Sequence, residues 1–317
     1  MKIFILSISI FLFTHTLAIA ESPETLRQNF IKFMVKEHNF SSLELKEILQ
    51  QAEKKDSILQ AIARPAEKVK PWWKYKRNFV TKRRIQDGVV FWKENKYILD
   101  EAKKRYGIPP NIIVSILGVE TNYGTYPLRY RVLDALSTLG FYYARRGRFF
   151  RSELMHFLLL TREEKINPLE IKGSYAGAMG KPQFMPSSYR RLAIDFDKDG
   201  KIDIWKSNAD IIGSIAFYLA RNKWQRNQPI AVKAHGFSEK NMNSQYKVQD
   251  LRRSGIKLPL DWDNELKANL IELEGEFGKE YWVVLQNFKS ILSYNPRNKY
   301  AMAVFQLAEK LKEAVKK

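Results

Sequence analysis

Glu120 ends the run Asn111–Gly124 (NIIVSILGVETNYG), where an apolar helical stretch gives way to polar and aromatic residues. Desolvation disfavours a charged carboxylate, so an acid at such a boundary can hold its proton near neutral pH. Protonating a departing glycosidic oxygen is the chemistry that suits such a group. An acid closing a buried helix is also commonly a cap partner or half of a salt bridge. The run alone leaves both readings open.

A second constellation is Asp195-Phe-Asp197-Lys-Asp199-Gly200-Lys201-Ile-Asp203. Oxygen side chains at positions 1, 3 and 5, a glycine at 6 and a backbone carbonyl at 7 (here Lys201) are the pattern that wraps Ca2+ in EF-hand-type loops. Position 12 is Lys206, so the bidentate glutamate is missing, and Asp210 on the following helix is the candidate replacement. Three acids this close repel one another without a cation. The ion would be structural, pinning the loop 172–190 to the helix 208–221; an acidic turn without metal is the alternative.

Between these two motifs, Ser174–Tyr189 (SYAGAMGKPQFMPSSY) is rich in small residues that let a ligand approach the backbone. Ser174 and Gln183 could donate to sugar hydroxyls or acetamido groups, or the segment could simply pack tightly. Aromatics and paired arginines recur at Tyr75, Arg145-Arg146, Tyr218, Tyr294-Asn295 and Tyr300. Sugars stack on aromatic rings and arginines pair with carboxylates. Other chemistries are poorly served. The four histidines show no ligand spacing, and there is no cysteine for a thiolate. No serine sits in a nucleophile elbow and no phosphate-binding loop occurs.

Helical periodicity supplies the frame for these residues. It is expected over 22–68, with Ser41 or Ser42 as an N-cap ahead of Glu44. One helix is expected over 83–106, ended by Gly107, and Pro109-Pro110 then open the Glu120 helix. Residues 128–162 read as helical, with a second helix over Phe149–Thr161. A short helix is expected near Pro186–Arg190, and amphipathic ones over 208–221 and 298–315. The runs Ile230–Ala234, Ala268–Glu274 and Tyr281–Leu285 read as strands. The chain is thus mainly α, of α+β class. The expected division is an N-terminal helical lobe (21–82), a core (83–227) with the loop 195–210, a small β-rich lobe (228–290) and a C-terminal helix (291–317).

Residues 1–20 read as a secretory signal: Lys2, an apolar stretch too short to span a bilayer, and Ala18-Ile19-Ala20. Export suits a chain without thiols or disulfides, and without cysteine there is no lipid-modified terminus. A soluble periplasmic protein, not a lipoprotein, is expected. The formal charge is +20 and falls to +19 without Lys2, which favours anion-bearing partners. For an exported chain lacking nucleic-acid-binding motifs, a carboxylate-bearing wall polymer or an anionic membrane surface fits better than nucleic acid.

Taken together, Gly118-Val-Glu120-Thr-Asn-Tyr-Gly124, Ser174–Tyr189, Asp195–Trp205 and Tyr294-Asn295…Tyr300-Ala-Met-Ala resemble the lytic murein transglycosylase B family, glycoside hydrolase family 103, from about residue 25 to 312. That resemblance implies a lysozyme-like helical core flanked by a helical and a small β lobe. It implies a periplasmic enzyme that cleaves peptidoglycan between N-acetylmuramic acid and N-acetylglucosamine without water, leaving a 1,6-anhydro end. Glu120 matches the catalytic acid, acting alone as acid and then base. Ser174, Gln183, Tyr218, Tyr294, Asn295 and Tyr300 match cleft residues, with Tyr75, Arg145 and Arg146 alongside. Asp195, Asp197, Asp199, Lys201 through its carbonyl, and Asp210 match a Ca2+ loop. Lys181-Pro182 stands where that family often carries Tyr-Gly. Peptidoglycan is the implied partner, with a cell-wall synthesis complex as a further one. A hydrolytic muramidase and a non-catalytic wall-binding protein are the rival readings.

Overall fold

The computed structural model describes residues 21–63, 70–235 and 244–316. The leader expected over residues 1–20 lies outside them. Three helices come first: α1 (Pro23–His38), α2 (Ser42–Gln50) and α3 (Asp56–Ala63). Ser22 and Ser41 cap the first two by accepting the backbone N–H of Thr25 and Glu44. Asn39, at φ 54°, turns the chain out of α1. Phe30, Met34, Leu45, Leu49 and Ile58 are the buried faces.

The central helices are α4 (Trp72–Lys76), α5 (Lys82–Glu94), α6 (Lys96–Tyr106) and α7 (Pro110–Thr121). The single helix expected over 83–106 is therefore two. Asn95 breaks it: the buried side chain donates to Phe91 O at 2.8 Å and accepts from Asn208 Nδ2 at 3.0 Å. A tertiary hydrogen bond thus overrides continuous local periodicity. A short strand β1 (Tyr130–Arg131) precedes α8 (Val132–Tyr142), a 3-10 turn (Ala144–Arg146) and α9 (Gly147–Glu163). β2 (Lys172–Gly173) pairs with β1, then α10 (Pro186–Leu192) and α11 (Asn208–Arg221) follow.

The first three helices dock on α8 through polar ties. Asp134 accepts Glu53 N–H at 2.9 Å and Arg131 Nη2 at 2.8 Å, while Thr138 accepts Lys55 N–H at 3.1 Å.

Beyond α11 the chain forms β3 (Ala231–Lys233), β4 (Tyr246–Lys247), α12 (Val248–Arg253), β5 (Lys267–Gly275) and β6 (Gly278–Val284). The antiparallel sheet has the order β3-β6-β5-β4, with Leu270 opposite Val283. Strand alternation divides it between two cores. Ala268, Leu270 and Val283 join Val248, Leu251, Ile256 and Trp262 in a small one. Ile271, Leu273 and Val284 face the large core that runs from Phe30 to Leu311. The short helices α12 and α13 (Gln286–Leu292) were not visible as periodic runs. The last helix, α14 (Asn298–Val315), buries Tyr300, Met302, Val304 and Leu307 against α7 and α5.

Candidate active site

α7 carries Glu120. Pro110 at its first turn has the preset φ a helix start needs, and its missing N–H would have been unpaired there. Every residue of α7 except Glu120 is buried, so the helix is fixed through its whole circumference. Asn111 Nδ2 adds a bond to Ala308 O of α14 at 3.3 Å. Glu120 is half-buried at the end, where the helix meets the cleft.

The turn after Glu120 is held unusually firmly. Asn122, Tyr123 and Gly124 have φ of 49°, 60° and 85°, a run of left-handed residues that strains the two bearing side chains. Tyr123 offsets this by burying its ring between two glycines. A Cβ at Gly118 would fall 2.7 Å from its hydroxyl oxygen, and one at Gly88 would fall 2.4 Å from it. The hydroxyl donates to Arg84 O at 2.8 Å, and the ring stacks on Phe91. Burial pushes the Tyr123 phenol far above its ordinary pKa, so it stays a donor. Arg84, 6% exposed, donates from Nη1 to Gly118 O at 2.7 Å and from Nη2 to the Tyr126 hydroxyl. On the opposite side, Thr121 Oγ1 donates to Lys181 O at 2.9 Å, and Lys181 N–H donates to Ile204 O at 2.9 Å. The C-terminus of α7, the small-residue loop and the acidic loop therefore join through Lys181.

Against Glu120 stands a stack of tyrosines. The Tyr300 hydroxyl donates to Glu120 Oε1 at 2.6 Å. Tyr294 lies parallel to Tyr300 with ring centroids 6.5 Å apart, and Tyr218 sits 4.6 Å from Tyr294. Phe184 closes the group, 5.5 Å from Tyr218. Tyr294 donates to Pro182 O at 2.7 Å and Tyr218 to Ser293 O at 2.6 Å. Burial, and then the charge of Glu120, holds the Tyr294 and Tyr300 hydroxyls well above the ordinary phenol pKa. Tyr75 is buried against Phe79, 4.9 Å between ring centroids, on the helix α4 that packs against α14.

The other expected cleft residues are placed differently. Ser174 Oγ accepts the N–H groups of Ala176 and Ala178 at 3.2 and 3.1 Å, shaping its own turn. Gln183, at φ 55°, spends its amide N–H on Gly180 O at 2.9 Å. Asn295 is half-buried beside Tyr294 and its carbonyl accepts Arg297 N–H at 2.7 Å. Arg146 lies over Phe149, 4.3 Å from the ring centroid, and Arg145 is exposed on the same 3-10 turn. The hydrogen bond and ring contacts joining Glu120, Tyr300, Tyr294, Tyr218 and Phe184 include neither arginine.

In the acidic loop, Asp195, Asp197 and Asp210 bring carboxylate oxygens within 4.8 Å of one another. Asp210 is 1% exposed and accepts Phe196 N–H at 2.8 Å and Asp203 N–H at 2.7 Å. Burial raises its pKa, backbone hydrogen bonds oppose this, and the charges of Asp197 and Asp195 add to it. An all-oxygen set of three acids is what a hard divalent cation takes. Asp199 is not part of this triad, and its Oδ1 accepts Lys201 N–H at 2.9 Å. Arg84, Thr121, Tyr123 and Tyr126 are site-building residues that sequence reasoning did not single out.

Comparison with known proteins settles the family. The model of the transglycosylase SLT domain matches residues 22–309. The chain belongs to this family. It is a lytic murein transglycosylase. The curated membrane-bound lytic murein transglycosylase B of Escherichia coli K12 is 42% identical over 294 residues, 89% of this chain and 81% of that one. The soluble lytic transglycosylase SltB1 of Pseudomonas aeruginosa superposes with a TM-score of 0.86 at 42% identity, covering 92% of this chain and all of that one. A lytic transglycosylase from E. coli in complex with calcium gives a TM-score of 0.84 at 41% identity, covering 92% and 94%. The helical assembly around Glu120 is thus the lysozyme-like fold of these transglycosylases. Among its described residues, no helix of the transglycosylase is long and apolar enough to cross a membrane.

Proposed function

We propose that this transglycosylase cleaves the β-1,4 bond between N-acetylmuramic acid and N-acetylglucosamine with Glu120 as its single acid and base. Protonated Glu120 gives its proton to the glycosidic oxygen as the bond to the anomeric carbon breaks. The resulting carboxylate then takes the proton of the muramoyl 6-hydroxyl, whose oxygen bonds to the anomeric carbon and closes a 1,6-anhydro ring. No water is consumed. The observation that carries this reading is the carboxyl of Glu120 at the end of a rigid buried helix, where it accepts a hydrogen bond from the Tyr300 phenol. A phenol can donate to the carboxylate and accept from the carboxylic acid, so it serves both proton states. The three fully buried acids among the described residues have other partners: Asp134 binds Glu53 and Arg131, Glu153 binds Ser187, and Asp210 binds Phe196 and Asp203. Ordinary glycosidases need two carboxylates, one as acid and one as nucleophile or base.

Asp195, Asp197 and Asp210 would hold Ca2+, with the Lys201 carbonyl closing the loop and Asp199 shaping it. The bound ion would lock the acidic loop that Lys181 ties to α7. Residues 1–20 support a periplasmic address, where peptidoglycan is the partner. The same address would admit contact with a cell-wall synthesis complex.

Mass spectrometry of fragments released from purified sacculi tests the chemistry. Wild-type fragments are expected to be lighter by one water than reducing-end fragments, and Glu120→Gln to lose roughly a hundred- to ten-thousandfold in rate while staying folded. Reducing ends as the main product would instead establish the hydrolytic muramidase.

A further inference from the structure

The cleavage site leaves one conspicuous surface without a role. Residues 70–84 carry seven lysines and arginines and no acid. Arg84 is the buried one, while Lys70, Lys74, Arg77, Lys82 and Arg83 are exposed. α4 lies within this stretch and is firmly seated, with Trp72 and Tyr75 buried on its inner side. Its outer side presents Trp73 flanked by cations: Lys74 Nζ is 5.0 Å and the Arg77 guanidinium 4.9 Å from the ring centroid. Arg77 also reaches across to the sheet, its Nη2 lying 2.8 Å from Glu276 Oε1.

That ion pair joins α4 to the tip of the β5–β6 hairpin. The tip is a two-residue connection, Glu276-Phe277, between the paired Gly275 and Gly278. Such turns ordinarily carry polar residues or glycine. Here the outermost residue is phenylalanine, 98% exposed, so its whole side chain stands in solvent.

We propose that Phe277, Trp73 and the surrounding cations Lys70, Lys74 and Arg77 form a docking surface for an anionic phospholipid bilayer. A projecting phenylalanine enters the acyl boundary, a half-buried tryptophan sits at the headgroup level, and Lys70 and Lys74 face lipid phosphates while Arg77 stays paired with Glu276 and braces Trp73. Charge complementarity fits the chain's +20 balance. A glycan strand is a poorer occupant. Stacking a pyranose needs an open ring face, yet Trp73 already carries two cations over its ring, and Phe277 is too open to form a groove. One aromatic side chain and a few cations give weak, reversible binding rather than an anchor. Because α4 packs against α14, which carries Tyr300, docking this edge would also fix how the cleft is turned relative to the bilayer.

Sedimentation with lipid vesicles tests this independently of cleavage chemistry. The probe is the chain from Glu21, which holds every described element, with vesicles of phosphatidylcholine alone or mixed with phosphatidylglycerol. Wild type is expected to bind only the mixed vesicles, and less as salt rises. Phe277→Ser should weaken that binding about tenfold or more, and Lys70→Gln with Lys74→Gln about fivefold per cation removed. Phe277→Ser should cleave purified sacculi at the wild-type rate. Equal binding to both vesicle types, no vesicle binding, or equal binding by wild type and Phe277→Ser would each overturn the proposal. Loss of sacculus binding by Phe277→Ser without a change on vesicles would overturn it as well, assigning the patch to the wall polymer.

Discussion

The Tyr300 hydroxyl donates to Glu120 Oε1 at 2.6 Å although 180 residues separate the two along the chain. α14, the last helix, thus supplies the partner for an acid on α7, and the pair exists only when the C-terminal helix is docked. This makes the hydrogen-bonded pair a property of the completed fold.

Replacing that phenol should be visible in the pH profile. Donation to a carboxylate favours its charged form, so removing the donor favours the protonated form. If Glu120 must enter the reaction protonated, activity falls as pH rises through its pKa. Tyr300→Phe should therefore move this alkaline limb to higher pH. Losing a hydrogen bond to a charged group should also lower kcat about ten- to a hundredfold. An unchanged limb with reduced kcat would mean that Tyr300 acts only by packing.

A second prediction concerns the slot that holds Tyr123. A methyl group at Gly88 would meet the Tyr123 hydroxyl oxygen at 2.4 Å and Leu311 Cδ2 at 2.6 Å. Gly88→Ala should destabilise the fold by about 1–3 kcal/mol, the usual range for overpacking. Tyr123→Phe removes the nearest clashing atom and the bond to Arg84 O. The double variant should then be less destabilised than the sum of the singles, since the two sites touch. Denaturant unfolding of all four proteins measures this, and strict additivity would contradict the slot.

Much of this frame was legible before the coordinates. The helices 208–221 and 298–315 carry unbroken apolar stripes, and the structure has them at Asn208–Arg221 and Asn298–Val315. The runs 268–274 and 281–285 fall largely on the paired strands β5 and β6, the second carrying the strand-favouring Tyr281, Trp282, Val283 and Val284. What periodicity could not show was where one side chain interrupts it. Asn95 looks like any mid-helix polar residue until Asn208, 113 positions later, binds it. The site divides in the same way. Glu120 and Asp195–Asp203 stand in compact local motifs. Arg84 does not, because its value comes from a carbonyl and a phenol that only tertiary structure brings near it. Ser174 and Gln183 show the converse: residue types suited to binding sugar whose polar atoms shape their own loop.

Calcium should act through stability. A ligand present at a hundredfold over its Kd adds about 2.7 kcal/mol to the folded state. At roughly 2–4 °C per kcal/mol for a chain of this order of size, saturating Ca2+ should raise Tm by about 5–10 °C. Asp197→Asn should abolish most of that rise, because it removes one carboxylate from the triad without touching the Phe196 and Asp203 bonds of Asp210. Identical melting of wild type with calcium and with chelator would remove the ion from the acidic loop.

Arg84→Lys separates charge from shape. The guanidinium spans two partners, Gly118 O through Nη1 and the Tyr126 hydroxyl through Nη2, and lies over the Phe79 ring, 5.3 Å from its centroid. A lysine keeps the charge, but its ammonium is a point that cannot reproduce the planar fork. One partner is then left unsatisfied in a buried setting, which destabilises by about 1–3 kcal/mol. Gly118 is two residues from Glu120, so release of its carbonyl should also loosen the turn that aims the carboxyl. The expected signature is a fall in kcat with KM nearly unchanged, since the lost contact orients the acid rather than binding glycan. A rise in KM at constant kcat would place Arg84 on the substrate side of the cleft instead.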